Sequence, residues 1–239
     1  MRSTTRGAAA AIATAVLLSG CGGAALVESR TSARRPGTTT EDGRTFTPDE
    51  LLDRAKGSLV RIRNTGCGEL STGSGFLGPR GMVLTNRHVV EGHHTLELLT
   101  WDGIDLEPDA VEVSDGLDVA RLHGDWSSTP LSPVSVRSAP VEPGERIAIV
   151  GFPGGDQIAI TTGVATGYEP DPERPQDKVL KITTLVKPGN SGGPALDVRG
   201  EVVGIVFAEE IATDEALVVP IDTALSLPNG EFRPEPACR

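Results

Sequence analysis

Aromatic residues are scarce in this sequence, in which Phe, Trp and Tyr together make up 3% of 239 residues. Basic residues are also in the minority, with 22 Lys and Arg against 33 Asp and Glu and a net charge of −11. Nucleic-acid-binding surfaces combine basic side chains with aromatic rings on which bases stack. We therefore expect no nucleic-acid partner. An acidic surface is not attracted to anionic lipid headgroups either, so contact with a membrane requires a specific anchor.

The sequence also lacks an apolar run of the roughly 20 residues that a transmembrane helix needs. Its first six residues contain two arginines and no acid, residues 7–18 are apolar, and Leu18-Ser19-Gly20-Cys21 follows. This order is typical of a secretory signal. The last four residues resemble the bacterial lipobox, in which the Cys receives a diacylglyceryl group. We predict a signal peptide over 1–20 and a lipidated Cys21 that anchors the protein to the membrane outside the cytoplasm; the alternative is an ordinary signal peptide and a secreted protein.

Residues 22–45 consist mainly of Gly, Thr, Ser, Arg and Ala and show no hydrophobic periodicity. Such a composition is typical of a flexible tether, with an average span of roughly 25–30 Å at this length. The sequence therefore predicts a lipidated Cys and tether over 21–45, followed by a folded domain over 46–239.

Only three cysteines are present. With Cys21 assigned to the lipid, Cys67 and Cys238 remain, and an oxidising compartment favours a disulfide between them. The alternative is that they are two unrelated buried thiols.

The folded part contains many short strands separated by turns that are rich in Gly and Pro. A capping box from Thr47 to Glu50, with Pro48 at the first helical position, predicts one helix that ends at Gly57, and a second short helix is expected after Ile221. The predicted strands are Leu59–Arg63, Gly75–Gly78, Met82–Thr85, Thr95–Leu99, Ala110–Val113, Val119–Leu122, Arg146–Gly151, Gln157–Gly167, Val179–Leu185, Gly193–Leu196, Glu201–Phe207 and Ala216–Ile221. Strands without crossover helices indicate an all-β, antiparallel fold of two small barrels, with a divide within 127–144.

The most specific motif is Gly189-Asn190-Ser191-Gly192-Gly193-Pro194. A serine hydroxyl is a weak nucleophile that needs an adjacent base and donors for the developing oxyanion, and glycines let the backbone turn tightly enough to aim N–H groups at one point. The alternative is a glycine-rich turn with an incidental Ser. The motif also matches Gly-x-Ser-x-Gly of α/β-hydrolases. That fold places its His after the Ser, whereas every His of this sequence precedes Ser191, so the α/β-hydrolase interpretation fails.

The base is predicted to be His88, at the end of an apolar strand. His93 and His94 lie in a polar loop, and His123 has no supporting motif. A metal site formed by His88, His93 and His94 lacks both the helical spacing and a nearby acid, so we expect no metal and no cofactor. The third member is predicted to be Asp118, because a carboxylate at the head of an apolar strand is costly without a partner.

Three motifs, in the order His88, Asp118, Ser191, resemble those of the trypsin-like serine proteases, and within them the bacterial HtrA-type branch, over about residues 57–225. They are Thr85-Asn86-Arg87-His88-Val89-Val90, Leu117-Asp118-Val119-Ala120 and Gly189-Asn190-Ser191-Gly192-Gly193-Pro194. Gly73-Ser74-Gly75-Phe76 matches that branch too. More narrowly, the Cys67 and Cys238 pair is similar to that of the membrane-anchored acid-resistance protease of mycobacteria. The resemblance implies two six-stranded antiparallel barrels, about 58–126 and 145–222, with short helices near both ends of the domain.

The resemblance further implies a catalytic site between the barrels. His88 and Asp118 would come from the first barrel, Ser191 from the second, and the N–H groups of Gly189 and Ser191 would form the oxyanion hole. The primary substrate pocket would be lined by four residues without an acidic group, which favours cleavage after small or medium apolar residues. They are Leu185, Phe207, Ala208 and Ala216.

Two departures from the wider family qualify this resemblance. Asn190 replaces the Asp that pairs with a freed N-terminus in digestive proteases, so activation by that ion pair is not expected. The stretch after Ser191 is too short for a PDZ domain, so regulation through such a domain is not expected either.

The main hypothesis is thus a serine endopeptidase acting on polypeptides outside the cytoplasm. The alternatives are a catalytically latent binding protein on the same fold, a structural surface lipoprotein and an esterase. Natural substrate, activating stress and oligomeric state are not encoded in any motif of the sequence.

Overall fold

The computed structural model describes residues 44–172, 174–210 and 214–238, with the backbone alone for 208–210. The predicted signal peptide, the lipidation site Cys21 and the predicted tether up to residue 43 lie outside the described residues. Within the described ranges, no helix is both long and apolar enough to cross a membrane.

Helix α1 (Pro48–Lys56) confirms the predicted capping box. The Thr47 hydroxyl accepts a hydrogen bond from the Glu50 N–H at 3.3 Å, and a Glu50 carboxylate oxygen accepts one from the Thr47 N–H at 2.7 Å. Gly57 ends the helix as predicted. Two further helices are short, α2 (Arg87–Val90) and α3 (Ile221–Ser226), and the second of these is the short helix expected after residue 221.

Fourteen strands form two antiparallel sheets in the described part of the chain. The first sheet has the order β14-β6-β7-β3-β2-β1-β4-β5. Its strands are β1 (Leu59–Gly66), β2 (Leu70–Leu77), β3 (Val83–Thr85), β4 (His93–Thr100), β5 (Asp105–Leu106), β6 (Ala110–Ser114), β7 (Ala120–His123) and β14 (Phe232–Pro234).

The second sheet is a closed barrel with the order β10-β13-β12-β11-β8-β9. Its strands are β8 (Arg146–Gly151), β9 (Ala159–Pro170), β10 (Lys178–Ile182), β11 (Pro194–Leu196), β12 (Val202–Glu210) and β13 (Glu215–Pro220). A 3-10 turn, Pro153–Gly155, connects β8 to β9.

The all-β prediction is confirmed, and the second barrel has the six strands expected of it. The prediction for the first barrel is wrong in detail, because the first sheet has eight strands and is not a closed barrel. Its edge strand β14 comes from the C-terminal end of the chain and pairs with β6. Neither β5 nor β14 was predicted, since each has only two or three residues and shows no alternation.

A shared hydrophobic cluster joins the two sheets. Leu59 and Phe76 of the first sheet pack with Val150 and Ile205 of the second, and all four are completely buried. Burying one such side chain stabilises a fold by about 1.5–3 kcal/mol. The junction between the sheets is therefore a packed core, and side chains at its rim are held in fixed relative positions.

Cys67 and Cys238 form the predicted disulfide, which spans 171 residues. Cross-linking so long a loop stabilises the folded state by about 3–5 kcal/mol in the chain-entropy model. The C-terminal segment is also bonded to the first sheet, with the Cys238 N–H donating to the His93 carbonyl at 2.6 Å. Cys238 is thus fixed beside the start of β4, the strand that follows the His88 segment.

Candidate active site

The prediction that His88 lies at the end of a strand is wrong. His88 lies in helix α2, which is one turn long. Strand β3 ends at Thr85, and Asn86 precedes the helix. Val89 and Val90 are buried in the core of the first sheet, whereas the side chain of His88 is 48% exposed. Apolar neighbours therefore hold the helix in place and leave the imidazole at the surface.

Asp118 binds His88 through both carboxylate oxygens. His88 Nδ1 lies 2.6 Å from Asp118 Oδ2, and the His88 backbone N–H donates to Oδ1 at 3.0 Å. Burial raises the pKa of Asp118, but hydrogen bonds from His88, its charge and that of Arg87 outweigh this effect, and the net pKa is below the usual value. The structure thus brings the predicted base and acid together, with the acid ionised.

This lowered pKa predicts an acid-sensitive contribution to stability. Because the folded-state pKa of Asp118 is below the unfolded value of about 3.9, its contribution is complete above that pH and is lost as the pH falls through the folded-state pKa. In thermal denaturation from pH 6 to pH 2, we expect the Tm difference between wild type and Asp118→Asn to shrink at the acid end. A difference that stays constant over this range would contradict the stabilisation of ionised Asp118 by its hydrogen bonds to His88.

Two buried asparagines fix the backbone on either side of this pair, and neither role is predicted from the sequence, although Asn86 lies two residues before His88. Asn64 of β1 donates to the carbonyls of Val89 and Glu91, at 3.1 Å in each case. Asn86 donates to the Asp118 carbonyl at 2.7 Å. Their amides satisfy carbonyls that α2 and the segment before β7 leave without helix or strand partners.

Ser191 lies in a tight loop of residues 187–193, here named the nucleophile loop. The Asn190 N–H donates to the Lys187 carbonyl at 2.9 Å, and the Gly193 N–H donates to the Asn190 carbonyl at 2.9 Å. Gly189 and Gly192 have φ values of +99° and +84°, which glycine adopts readily and other residues do not. The glycines thus produce two consecutive turns, with the partly exposed Ser191 between them.

The peptide before Gly189 has a fixed orientation. The Pro188 carbonyl accepts a hydrogen bond from the Gly154 N–H at 2.7 Å. Because C=O and N–H point in opposite directions across a trans peptide, the Gly189 N–H is turned away from Gly154. Neither this N–H nor that of Ser191 donates to another group in the described part of the chain. Two free donors near the Ser191 hydroxyl suit an oxyanion, although the described residues contain no hydrogen bond between that hydroxyl and His88.

The four predicted pocket residues have different environments. Leu185 is 56% exposed, Phe207 is partly buried against the shared core, and Ala216 is completely buried in the core of the second barrel. The side chain of Ala208 lies outside the described residues. Their common role in a substrate pocket stays a prediction.

A group of three metal-binding residue types occurs away from this site, formed by Cys67, His94 and Cys238. Both sulfurs are used in the disulfide, which leaves one imidazole ligand. His93 faces elsewhere, with its Nδ1 3.0 Å from the Val90 carbonyl.

Comparison with known proteins agrees with this architecture. Residues 73–205, more than half of the chain, match the family model for the trypsin-like peptidase domain. The putative serine protease HhoB of Synechocystis is 34% identical over 171 residues, which are 69% of this chain and 41% of the relative. The serine protease Rv3671c of Mycobacterium tuberculosis is 30% identical over 164 residues, which are 64% of this chain and 41% of the relative.

The chain spans about two fifths of the length of these curated relatives. Among solved structures, the active form of the M. tuberculosis Rv3671c protease covers 87% of this chain with a TM-score of 0.69 and 24% identity, and the match covers 97% of that structure. The HtrA-type protease AlgW with tripeptide has a TM-score of 0.68 and 23% identity, over 75% of this chain and 62% of that one. At these identities the structures establish the fold alone. With the family match across the segment that carries Ser191, the chain belongs to the trypsin-like peptidase family.

Proposed function

We propose that this chain is an extracytoplasmic serine endopeptidase. The observation that carries the proposal is the bidentate His88–Asp118 pair together with the two free N–H groups around Ser191. Ser191 is the nucleophile, His88 the general base and then the general acid, and Asp118 the group that orients the imidazole. The N–H groups of Gly189 and Ser191 bind the oxyanion.

In the first half of the reaction, the Ser191 hydroxyl oxygen attacks the scissile carbonyl carbon while His88 Nε2 takes its proton. The tetrahedral intermediate collapses to an acyl-enzyme, and the imidazolium gives this proton to the leaving amine. In the second half, a water molecule attacks the acyl-enzyme while His88 takes its proton. The imidazolium then returns this proton to Ser191, and the product carboxylic acid is released. Asp118 stabilises the imidazolium at each stage, since its lowered pKa keeps it ionised.

The substrates in this proposal are polypeptides outside the cytoplasm, cleaved after small or medium apolar residues, with Leu185, Phe207, Ala208 and Ala216 around the first subsite. The setting outside the cytoplasm is supported by the signal-like residues 1–20 and by a relative, 30% identical over 193 residues, described as a probable periplasmic serine endoprotease. Anchoring through a lipid on Cys21, with residues 22–45 as a tether to the domain 46–239, completes the proposal.

A fluorophosphonate probe tests the proposal directly. Treated under oxidising conditions, the wild-type chain is expected to be labelled, and a folded Ser191→Ala variant is expected to be unlabelled. Labelling of both proteins would show that another residue reacts, and a folded wild type that stays unlabelled would favour the latent binding protein. A peptide-library profile dominated by Arg would contradict the proposed specificity alone.

A further inference from the structure

Ser74 of β2 connects the first sheet to the nucleophile loop through every polar atom that it has. It is completely buried. Its N–H donates to the Ser191 carbonyl at 2.7 Å, and its carbonyl accepts from the Thr85 hydroxyl at 2.7 Å. Its own hydroxyl donates to the Gly189 carbonyl at 2.7 Å and accepts from the Phe152 N–H at 3.0 Å. Three of these four bonds cross to the loops of the second barrel.

The hydroxyl controls both peptides that flank Gly189. It binds the Gly189 carbonyl directly, which fixes the peptide that follows. It also binds the N–H of Phe152, the residue before the Pro153–Gly155 turn, and the Gly154 N–H of this turn holds the Pro188 carbonyl. One hydroxyl therefore sets, directly or through this turn, the direction of the Gly189 N–H.

The surroundings of Ser74 leave no space for a water molecule that could replace its hydroxyl. A Cβ atom added to Gly151 would lie 2.9 Å from the Ser74 hydroxyl oxygen, and one added to Gly192 would collide with the Ser74 carbonyl. A Cβ on Gly193 would already be 3.4 Å from that of Ser74. Because glycine backbone packs this closely around the side chain, a water molecule cannot enter to satisfy the Gly189 carbonyl if the hydroxyl is removed.

We propose that Ser74 is a positioning residue for the oxyanion hole, and that its hydroxyl holds the Gly189 N–H in the orientation that binds the developing charge. This inference rests on the proposed function. It differs from a purely structural role, since loss of the hydroxyl frees two buried polar groups in the nucleophile loop and its neighbouring turn and none in the His88–Asp118 pair.

The test compares Ser74→Ala with Ser58→Ala. Ser58 is also a buried serine, in the turn before β1, and its hydroxyl bonds only locally, to the Ala55 carbonyl at 3.1 Å. At saturating fluorophosphonate, the labelling rate of Ser74→Ala is expected to fall about 10- to 100-fold with the half-saturating concentration unchanged. Ser58→Ala is expected to label at the wild-type rate.

Hydrogen exchange followed by mass spectrometry gives a readout that does not depend on catalysis. In Ser74→Ala, amides of residues 187–193 are expected to exchange faster, while the strands β1 and β4 keep wild-type protection. Exchange that rises equally across the whole domain, or a nucleophile loop that keeps wild-type protection, would overturn the role of Ser74. An unlabelled wild type would count against the proposed function, and loop exchange would still decide the inference about Ser74.

Discussion

Replacing Asp118 with Asn is expected to lower kcat by about 10⁴-fold with little change in KM. Asp118 accepts two N–H groups of His88, at 2.6 Å from Nδ1 and 3.0 Å from the backbone. An amide has one accepting oxygen, so the backbone N–H takes it and the NH₂ group faces Nδ1. The imidazole must then carry its proton on Nε2, where it cannot accept the proton of Ser191. The fold stays intact because the side-chain volume is nearly unchanged.

Asp115→Asn is the matched control for this prediction. Asp115 lies on the same loop but pairs with Arg233 at the surface, at 2.9 Å, and its side chain is 65% exposed. Exposed pairs of this kind stabilise proteins by about 0–1 kcal/mol, and this one touches no group of the site. Peptide hydrolysis and circular dichroism of both variants provide the measurement. An Asp118→Asn enzyme that keeps a tenth of the wild-type kcat would remove Asp118 from the assigned role.

Short sequence patterns predicted the helices and strands whose formation depends on residues close together in the chain. The Thr47–Glu50 capping box defines α1, and alternation of buried and exposed residues defines β1. The C-terminal strand β14 has no such signal, because Phe232–Pro234 is short and becomes a strand only by pairing with β6, more than 110 residues earlier in the chain. Sequence patterns record which face of a strand is buried, and they do not record which distant edge is available to it.

The site residues also fall into two groups, those with a local sequence signal and those that depend on contacts between distant segments. His88, Asp118 and Ser191 could be predicted because each has a residue type required by the chemistry in a recognisable local setting. Ser74 and Asn64 could not be assigned roles, since their importance lies in hydrogen bonds to Gly189 and Val89 that only the folded chain creates. The available signal was that both are polar residues inside strands, where a buried polar side chain needs a hydrogen-bond partner.

Two properties of Gly189 make it a restrictive position of the nucleophile loop. Its φ is +99°, and a Cβ there would collide with the Phe152 carbonyl and lie 2.9 Å from the Gly154 nitrogen. Both contacts are with backbone, of the Pro153–Gly155 turn that holds the Pro188 carbonyl and of the residue before this turn. An alanine can be accommodated only if the loop or this turn moves, and either movement reorients the Gly189 N–H.

Gly189→Ala is therefore expected to lower kcat by at least 10²- to 10³-fold, the effect of losing one oxyanion donor. Gly144→Ala separates this steric effect from backbone strain, because Gly144 has nearly the same φ of +92° and no atom within 4 Å of an added Cβ. That control is expected to lose about 1–3 kcal/mol of stability and no activity. Labelling rates measured well below the Tm of both variants decide the matter: equal rates would mean that the Gly189 N–H does not bind the oxyanion. If only Gly189→Ala loses most of its labelling rate, the Gly189 N–H is assigned as an oxyanion donor. The two variants have the same backbone strain, and only the methyl group at position 189 collides with neighbouring backbone.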